Sequence, residues 1–251
     1  MITALRRSFF ILMLITIWEV TSRLSTLPDF MFPSFLQVMN TLWDGIMNGQ
    51  LIIAVAQSLG RLVTGFLIAI VIGVLLGYWI WRYKVVEDTL GFLITALQSI
   101  PSIVWFPLAI MWFGLNEKAI LFIVTIGATW TMTVNATSGF KTVPLLYRRV
   151  ARTFGSSGLH FIRTVIIPAS IPQLLSGLRI AWAFAWRALM AGELLGSAGG
   201  LGQLLDSGRS LGQMDVVISV MLIIGLVGTV MDHIVFLRLE NRMQRTWGLT
   251  V

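Results

Sequence analysis

The sequence predicts an all-α polytopic membrane protein with six transmembrane helices and a short amphipathic cytoplasmic helix between spans four and five. Composition is the first observation. Of 251 residues, 57% are hydrophobic and only 12% charged, about half the charge with which an ordinary soluble domain covers its surface. The second is a series of apolar segments about 20 residues long, the length that crosses a hydrocarbon layer about 30 Å thick. The third is the stretch 144–172, PLLYRRVARTFGSSGLHFIRTVIIPASIP. It is charged and glycine-broken between two such segments, and too long and too basic to be a mere connection.

The first span is placed at roughly 8–26. Arg6 and Arg7 precede it as in a signal peptide, but Glu19 and Arg23 follow where a small-residue cleavage site would stand, so it is read as uncleaved. Residues 27–57 are punctuated by Pro28, Pro33, Asn48 and Gly49. Within them SFLQVMNTLWDGIM (34–47) has apolar residues near helical spacing, and an interfacial amphipathic helix is expected rather than a seventh span. The second span is roughly 60–81, where Gly73 and Gly77 make a GxxxG pair that permits close helix approach. The third is roughly 89–113 and carries Pro101 and Pro107. The fourth is roughly 118–140, the fifth 169–195 and the sixth 216–237. The glycine-rich GSAGGLG (196–202) shapes an external loop, with a short helix expected near Gln203 to Gly208. The whole chain, 1–251, is read as one membrane domain.

Lys and Arg set the orientation. With the N-terminus in the cytoplasm, the inner side holds Arg6, Arg7, Arg82, Lys84, Lys141, Arg148, Arg149, Arg152, Arg163, Arg238, Arg242 and Arg245. The outer side holds Arg23, Lys118 and Arg209, with Arg61 near a span end. Both termini and the loop 141–168 are therefore expected in the cytoplasm. Trp81, Tyr83, Trp112 and Trp247 fall near span ends, as interfacial aromatic residues do.

In the loop, Pro144 suits a first helical turn, where its missing N–H has no partner to lose. From Leu145 to Phe154, steps of about 100° place Leu146, Val150, Ala151 and Phe154 on one side and Arg148, Arg149 and Arg152 on the other. Gly155, Ser156, Ser157 and Gly158 end this helix. Pro168 marks the start of the fifth span. Such a helix either lies on anionic lipid or moves the flanking spans when a partner moves it.

The loop resembles that of binding-protein-dependent ABC importer permeases, whose pattern is E-A-A-x-x-x-G, nine residues, then I-x-x-P. Here Arg149-Val150-Ala151-Arg-Thr-Phe-Gly155 is followed, after nine residues, by Val165-Ile-Ile-Pro168. Ala151, Gly155 and Pro168 match in register, Val165 replaces isoleucine, Val150 replaces alanine, and Arg149 stands where the family has glutamate. SLGRLVTGF (58–66), PSIVWFPLAIMWFG (101–114) and GLRIAWAFAWRALMAGELLG (177–196) extend the likeness to the sulfonate, taurine, nitrate and bicarbonate branch. The resemblance implies a permease subunit, usually in two copies, in the bacterial plasma (inner) membrane. A cytoplasmic ABC ATPase would grip the loop through Arg149, Val150, Ala151, Phe154, Gly155, Ser156 and Pro168, and an extracytoplasmic binding protein would deliver the solute. ATP would be used by the ATPase, and no cofactor would be bound by this chain. The solute would be a small anion; close relatives carry thiamine-precursor-like heterocycles.

The fifth span holds Arg179, Arg187 and Glu193. A charge at the bilayer centre costs about 2.5–3.5 kcal/mol on the insertion scale, so these residues are expected to face protein or a water-filled path. Arg187 would offer an anion a favourable field, or serve as a structural ion-pair member. Arg179 would pair or reach toward the cytoplasm, and Glu193 would be a path residue or pair with an Arg on another helix. Gln98, Ser99 and Pro101 make a polar break in span three, read as path-lining or as helix packing. Asp232 and His233 are read as interfacial. Glu19 and Arg61 are a candidate pair across spans one and two.

Several functions are excluded. No cysteine occurs, and the two histidines, His160 and His233, lie far apart, so neither disulfides nor a metal site is expected. No phosphate-cradling loop ending in Gly-Lys-Ser or Gly-Lys-Thr is present, so the chain holds no ATP by that device. There is no pair of intramembrane aspartates, and no enzyme chemistry is expected. A stand-alone secondary transporter would show inverted repeats or midplane acids, and neither is evident.

Overall fold

The structure is a computed structural model that describes residues 2–28 and 30–246. Every regular element among them is helical. In order these are α1 Ile2–Leu24, α2 Phe35–Met47, α3 Gln50–Arg82, α4 Lys84–Gln98, α5 Ser102–Phe113, α6 Glu117–Lys141, α7 Leu145–Thr153, α8 Gly158–Leu195, α9 Leu201–Ser210 and α10 Met214–Leu239, whose last turns run on as Leu237–Thr246. Trp247 and the side chain of Arg245, both used in the orientation argument, lie outside the described residues.

Four helices, α3, α6, α8 and α10, are long and apolar enough to cross a membrane. The third span expected at 89–113 is broken: α4 and α5 meet at a 97° bend, a fifth crossing only if the bent pair counts as one. The reason lies at Pro101. It has no N–H to continue the ladder, and it biases Ile100 away from the helical region. The backbone at Pro101 is extended (φ −54°, ψ 133°). The first expected span forms as the 23-residue α1. It holds Arg6, Arg7, Glu19 and Arg23 and falls outside the four.

The chain divides into two compact units. The first comprises residues 1–58 and 193–227. Here Ser34 caps α2, its hydroxyl accepting from the Gln37 N–H while the Gln37 side chain accepts from the Ser34 N–H, a reciprocal capping box. The Trp18 indole donates to the Pro33 carbonyl (3.1 Å) and packs edge-on against Phe35. Thr41 donates to Asp215 (2.7 Å), and Ser219 to the Val38 carbonyl (2.9 Å). The Glu19–Arg61 pair is corrected. Glu19 binds Arg23 one turn away at 2.7 Å, because i,i+4 neighbours meet without any long-range ordering.

The second unit comprises residues 59–192 and 228–251. Glycines in α3 let α6 approach closely. A Cβ at Gly73 would lie 2.7 Å from the Met132 Cβ, and one at Gly77 would lie 2.7 Å from the Ala136 Cβ. This is the close approach that the GxxxG pair predicts. Gly77→Leu is expected to destabilise the protein by about 1–3 kcal/mol through overpacking, read as a lower thermal melting point in detergent. Phe106, Ala109, Ala119, Ile123 and Ala188 form a buried cluster joining α5, α6 and α8. Arg61 donates to Glu117 at 2.8 Å, and a chain of rings, Phe66, Trp182 and Phe236, ties α3, α8 and α10.

Candidate functional site

The loop 141–168 is built around α7. Pro144 precedes it in an extended conformation, so the helix starts where proline costs no hydrogen bond. It ends at Gly155, whose φ is +73°. The Gly155 N–H donates to the Arg152 carbonyl and the Ser156 N–H to the Ala151 carbonyl, both at 2.9 Å. That pair of bonds is a Schellman stop, which needs a left-handed residue at Gly155's position. Ala151 turns inward and is buried, and α7 packs against the stretch Ile162–Ile166. That stretch is a wide π turn in which the Ile167 N–H reaches Ile162. Widening the helix just before Pro168 accommodates the missing proline donor, so α8 runs unbroken from Gly158 to Leu195. Pro168 therefore sits inside a long helix rather than at the start of a span, as the sequence reading had it.

The face presented outward is apolar. Phe154 is 85% exposed, Leu145 and Leu146 are 66% exposed, and Tyr147 and Val150 about half so. Arg149 and Ser157 lie in the open beside them, and Ser156 is half-buried. The Arg148 side chain folds back from the arginine side of α7. It donates to the Phe140 carbonyl at 2.8 Å and to the Lys141 carbonyl at 3.3 Å, with its guanidinium 5.7 Å from the Trp81 ring centre. This side chain clamps α7 to the C-terminal end of α6, where the dipole favours a cation. Lys141 pairs with Glu87 of α4.

The charges of α8 separate in the structure. Arg179 makes a two-pronged pair with Asp232, both bonds 2.7 Å. Asp232 is thus a helix-to-helix partner, which opposite charges on two apolar segments could have signalled. Arg187 is exposed; its Nε donates to the Ala183 carbonyl (3.0 Å), and its guanidinium lies 4.5 Å over Phe184. Both arginines line one cavity of about 500 Å3 with Ser176, Ile180, Ala183 and Asp232. Gln98 and Pro101 line a second, small cavity with Thr131 and Phe184. At about 40 Å3 it has the room of roughly one water molecule, so the break is packed closed in this conformation. The Ser99 hydroxyl donates to its own helix at the Thr95 carbonyl. Phe184 is therefore the link between the break and Arg187, and sequence spacing gave no sign of it. Glu193 belongs to the other unit. It is fully buried, accepting from the Ser58 hydroxyl (2.7 and 3.0 Å) and from the Gly202 N–H (3.0 Å).

Residues 69–245 match the family described as binding-protein-dependent transport system inner membrane component. The chain belongs to this family. It is 38% identical to an ABC transporter permease protein of Methanocaldococcus jannaschii, over 87% of this chain and 84% of that one. It is 27% identical to the nitrate import permease NrtB of Synechocystis, over 92% and 86%. Other relatives are named as permeases for aliphatic sulfonates, taurine and bicarbonate. Among solved structures, the inward-facing MetNI methionine ABC transporter shares the fold, with a TM-score of 0.67 at 19% identity over 78% of this chain and 95% of that one. The protein is thus a transport permease of the ABC importer type rather than an enzyme, and the resemblance read from its loop and its three other segments holds.

Proposed function

We propose that this permease forms, with a second copy of itself, the path by which a small anion enters the cell, driven through the loop 141–168. The observation that carries the proposal is the apolar face of α7, exposed on Leu146, Tyr147, Val150 and Phe154 and rigidly ended by Gly155. A nine-residue helix with such a face, clamped to α6 by Arg148 and joined to α8, is a contact surface in need of a partner. A cytoplasmic ABC ATPase fits it, with Arg149 at its edge meeting an acidic residue of that partner. ATP is then bound and spent in the ATPase, and this chain needs no cofactor. Movement of the loop is passed to α6 and α8, which switch the path between inward- and outward-open. The whole chain acts as one membrane domain. Six crossings, counting α1 and the bent pair α4–α5, put both termini and the loop on the cytoplasmic side of the plasma membrane, and an extracytoplasmic binding protein delivers the solute.

The anion is favoured by the relatives named for nitrate, sulfonates, taurine and bicarbonate, and by Arg187 in its cavity. Membership of a binding-protein-dependent family weighs against a stand-alone secondary transporter. The test uses two changes at one position. Gly155→Asn, whose side chain tolerates the left-handed conformation, keeps the ATPase bound on copurification. Gly155→Val, β-branched at positive φ, loses it, although no neighbour would clash with a Cβ there. Equal copurification with both would remove the loop from the interface. Phe154→Asp should reduce binding at least tenfold by charging the contact face.

A further inference from the structure

A cavity of about 910 Å3 in the second unit lies between the end of α3 and the loop that follows α7. Three arginines line it: Arg82, Arg148 and Arg152. No carboxylate stands among the lining residues, and among the described residues no carboxylate pairs with these arginines. Three like charges around one cavity repel one another unless an anion lies between them. Two further polar atoms there are unsatisfied: the Arg148 Nε and the Ser156 Oγ are buried without a hydrogen-bond partner. Such groups are completed by a bound ion, ligand or water.

The position selects the ligand. Trp81 and Arg82 follow directly on the mostly apolar run 62–80, which at 1.5 Å per residue is about 28 Å, close to the hydrocarbon thickness. Arg82, its guanidinium 5.4 Å from the Tyr83 ring centre, therefore lies in the layer of lipid headgroups, where aromatic and basic residues collect. We infer that this cavity binds the phosphate of an anionic glycerophospholipid, with Arg82, Arg152 and the Ser156 hydroxyl as its donors and the acyl chains lying outside along α3. The lipid would brace the loop against α3 from behind, leaving the exposed face of α7 free.

The test uses the permease with its ATPase, purified and returned to discs of phosphatidylcholine with or without about one-fifth phosphatidylglycerol. Native mass spectrometry reads the lipid retained. Wild type is expected to keep phosphatidylglycerol and release phosphatidylcholine. Arg82→Gln should weaken retention about fivefold, and Arg82→Gln with Arg152→Gln about 25-fold, at the worth of one basic residue near an anionic surface. Melting in pure phosphatidylcholine discs checks that both variants remain folded. Equal retention of the two lipids by wild type overturns the inference, and so does full retention by the double variant. Displacement of the lipid by millimolar inorganic phosphate would assign the cavity to a free anion instead. Protection of Arg82→Cys from a maleimide by the ATPase in lipid-free detergent would assign it to the protein partner.

Discussion

Arg187→Ala is expected to lower solute uptake into proteoliposomes below about a tenth of wild type while the ATPase still copurifies. The guanidinium is exposed on a long apolar helix, lines a 500 Å3 cavity, lies over the Phe184 ring and makes a hydrogen bond through its Nε alone. Its terminal nitrogens are available to a passing anion. A hydrogen bond to a charged group is worth about 1.5–3 kcal/mol, or roughly 10- to 150-fold. Arg187→Lys keeps the charge but not the planar fork, and should retain an intermediate rate. The neighbouring Arg179 does not replace it, because Asp232 already engages its Nε and Nη2 and neutralises its charge. Wild-type uptake by Arg187→Ala would leave the cavity without a role in anion transfer.

Glu193→Ala should do the opposite and strike stability. Its carboxylate is fully buried and accepts from Ser58 of α3 and from the Gly202 N–H at the start of α9. Removing it leaves buried donors unpaired at about 1–3 kcal/mol each, for a total of about 3–5 kcal/mol. A Cβ at Gly200, already at φ +100°, would run into this same carboxylate, so the junction has no slack in which to reorganise. The expected readout is a lower melting point and a poor yield, with Glu193→Gln recovering most of both because it retains an acceptor. If Glu193→Ala melts normally but fails in uptake, Glu193 belongs to the path and not to the scaffold.

Helix positions were largely legible because hydropathy and capping report them directly. Span four, expected at 118–140, is Glu117–Lys141; the helix expected near Gln203 to Gly208 is Leu201–Ser210. The backward extension of α3 to Gln50 was not legible. Gln57, Ser58 and Arg61 end the apolar run, and only the tertiary partners Glu193 and Glu117 show how Ser58 and Arg61 are satisfied inside a helix. The bend at Pro101 was visible as a proline but not as a 97° turn, since transmembrane helices tolerate proline whenever neighbours satisfy the freed carbonyls. The fold-back of Arg148 was not legible for a different reason. Helical angle fixes the direction of its Cβ, but a long side chain can reach back to the preceding helix, and the Phe140 carbonyl at the end of α6 that draws it back is eight residues away.

The continuity of α8 has a mechanical corollary. From Gly158 to Arg187 is 29 residues, about 44 Å at 1.5 Å per residue, with no non-helical link between. A helix resists shortening, so a nudge delivered beside the Schellman stop reaches the arginine as a tilt or roll of a stiff rod. Inserting one residue anywhere along that rod would turn Arg187 by about 100° from its bearing while leaving both of its ends intact, uncoupling motor from gate without touching either.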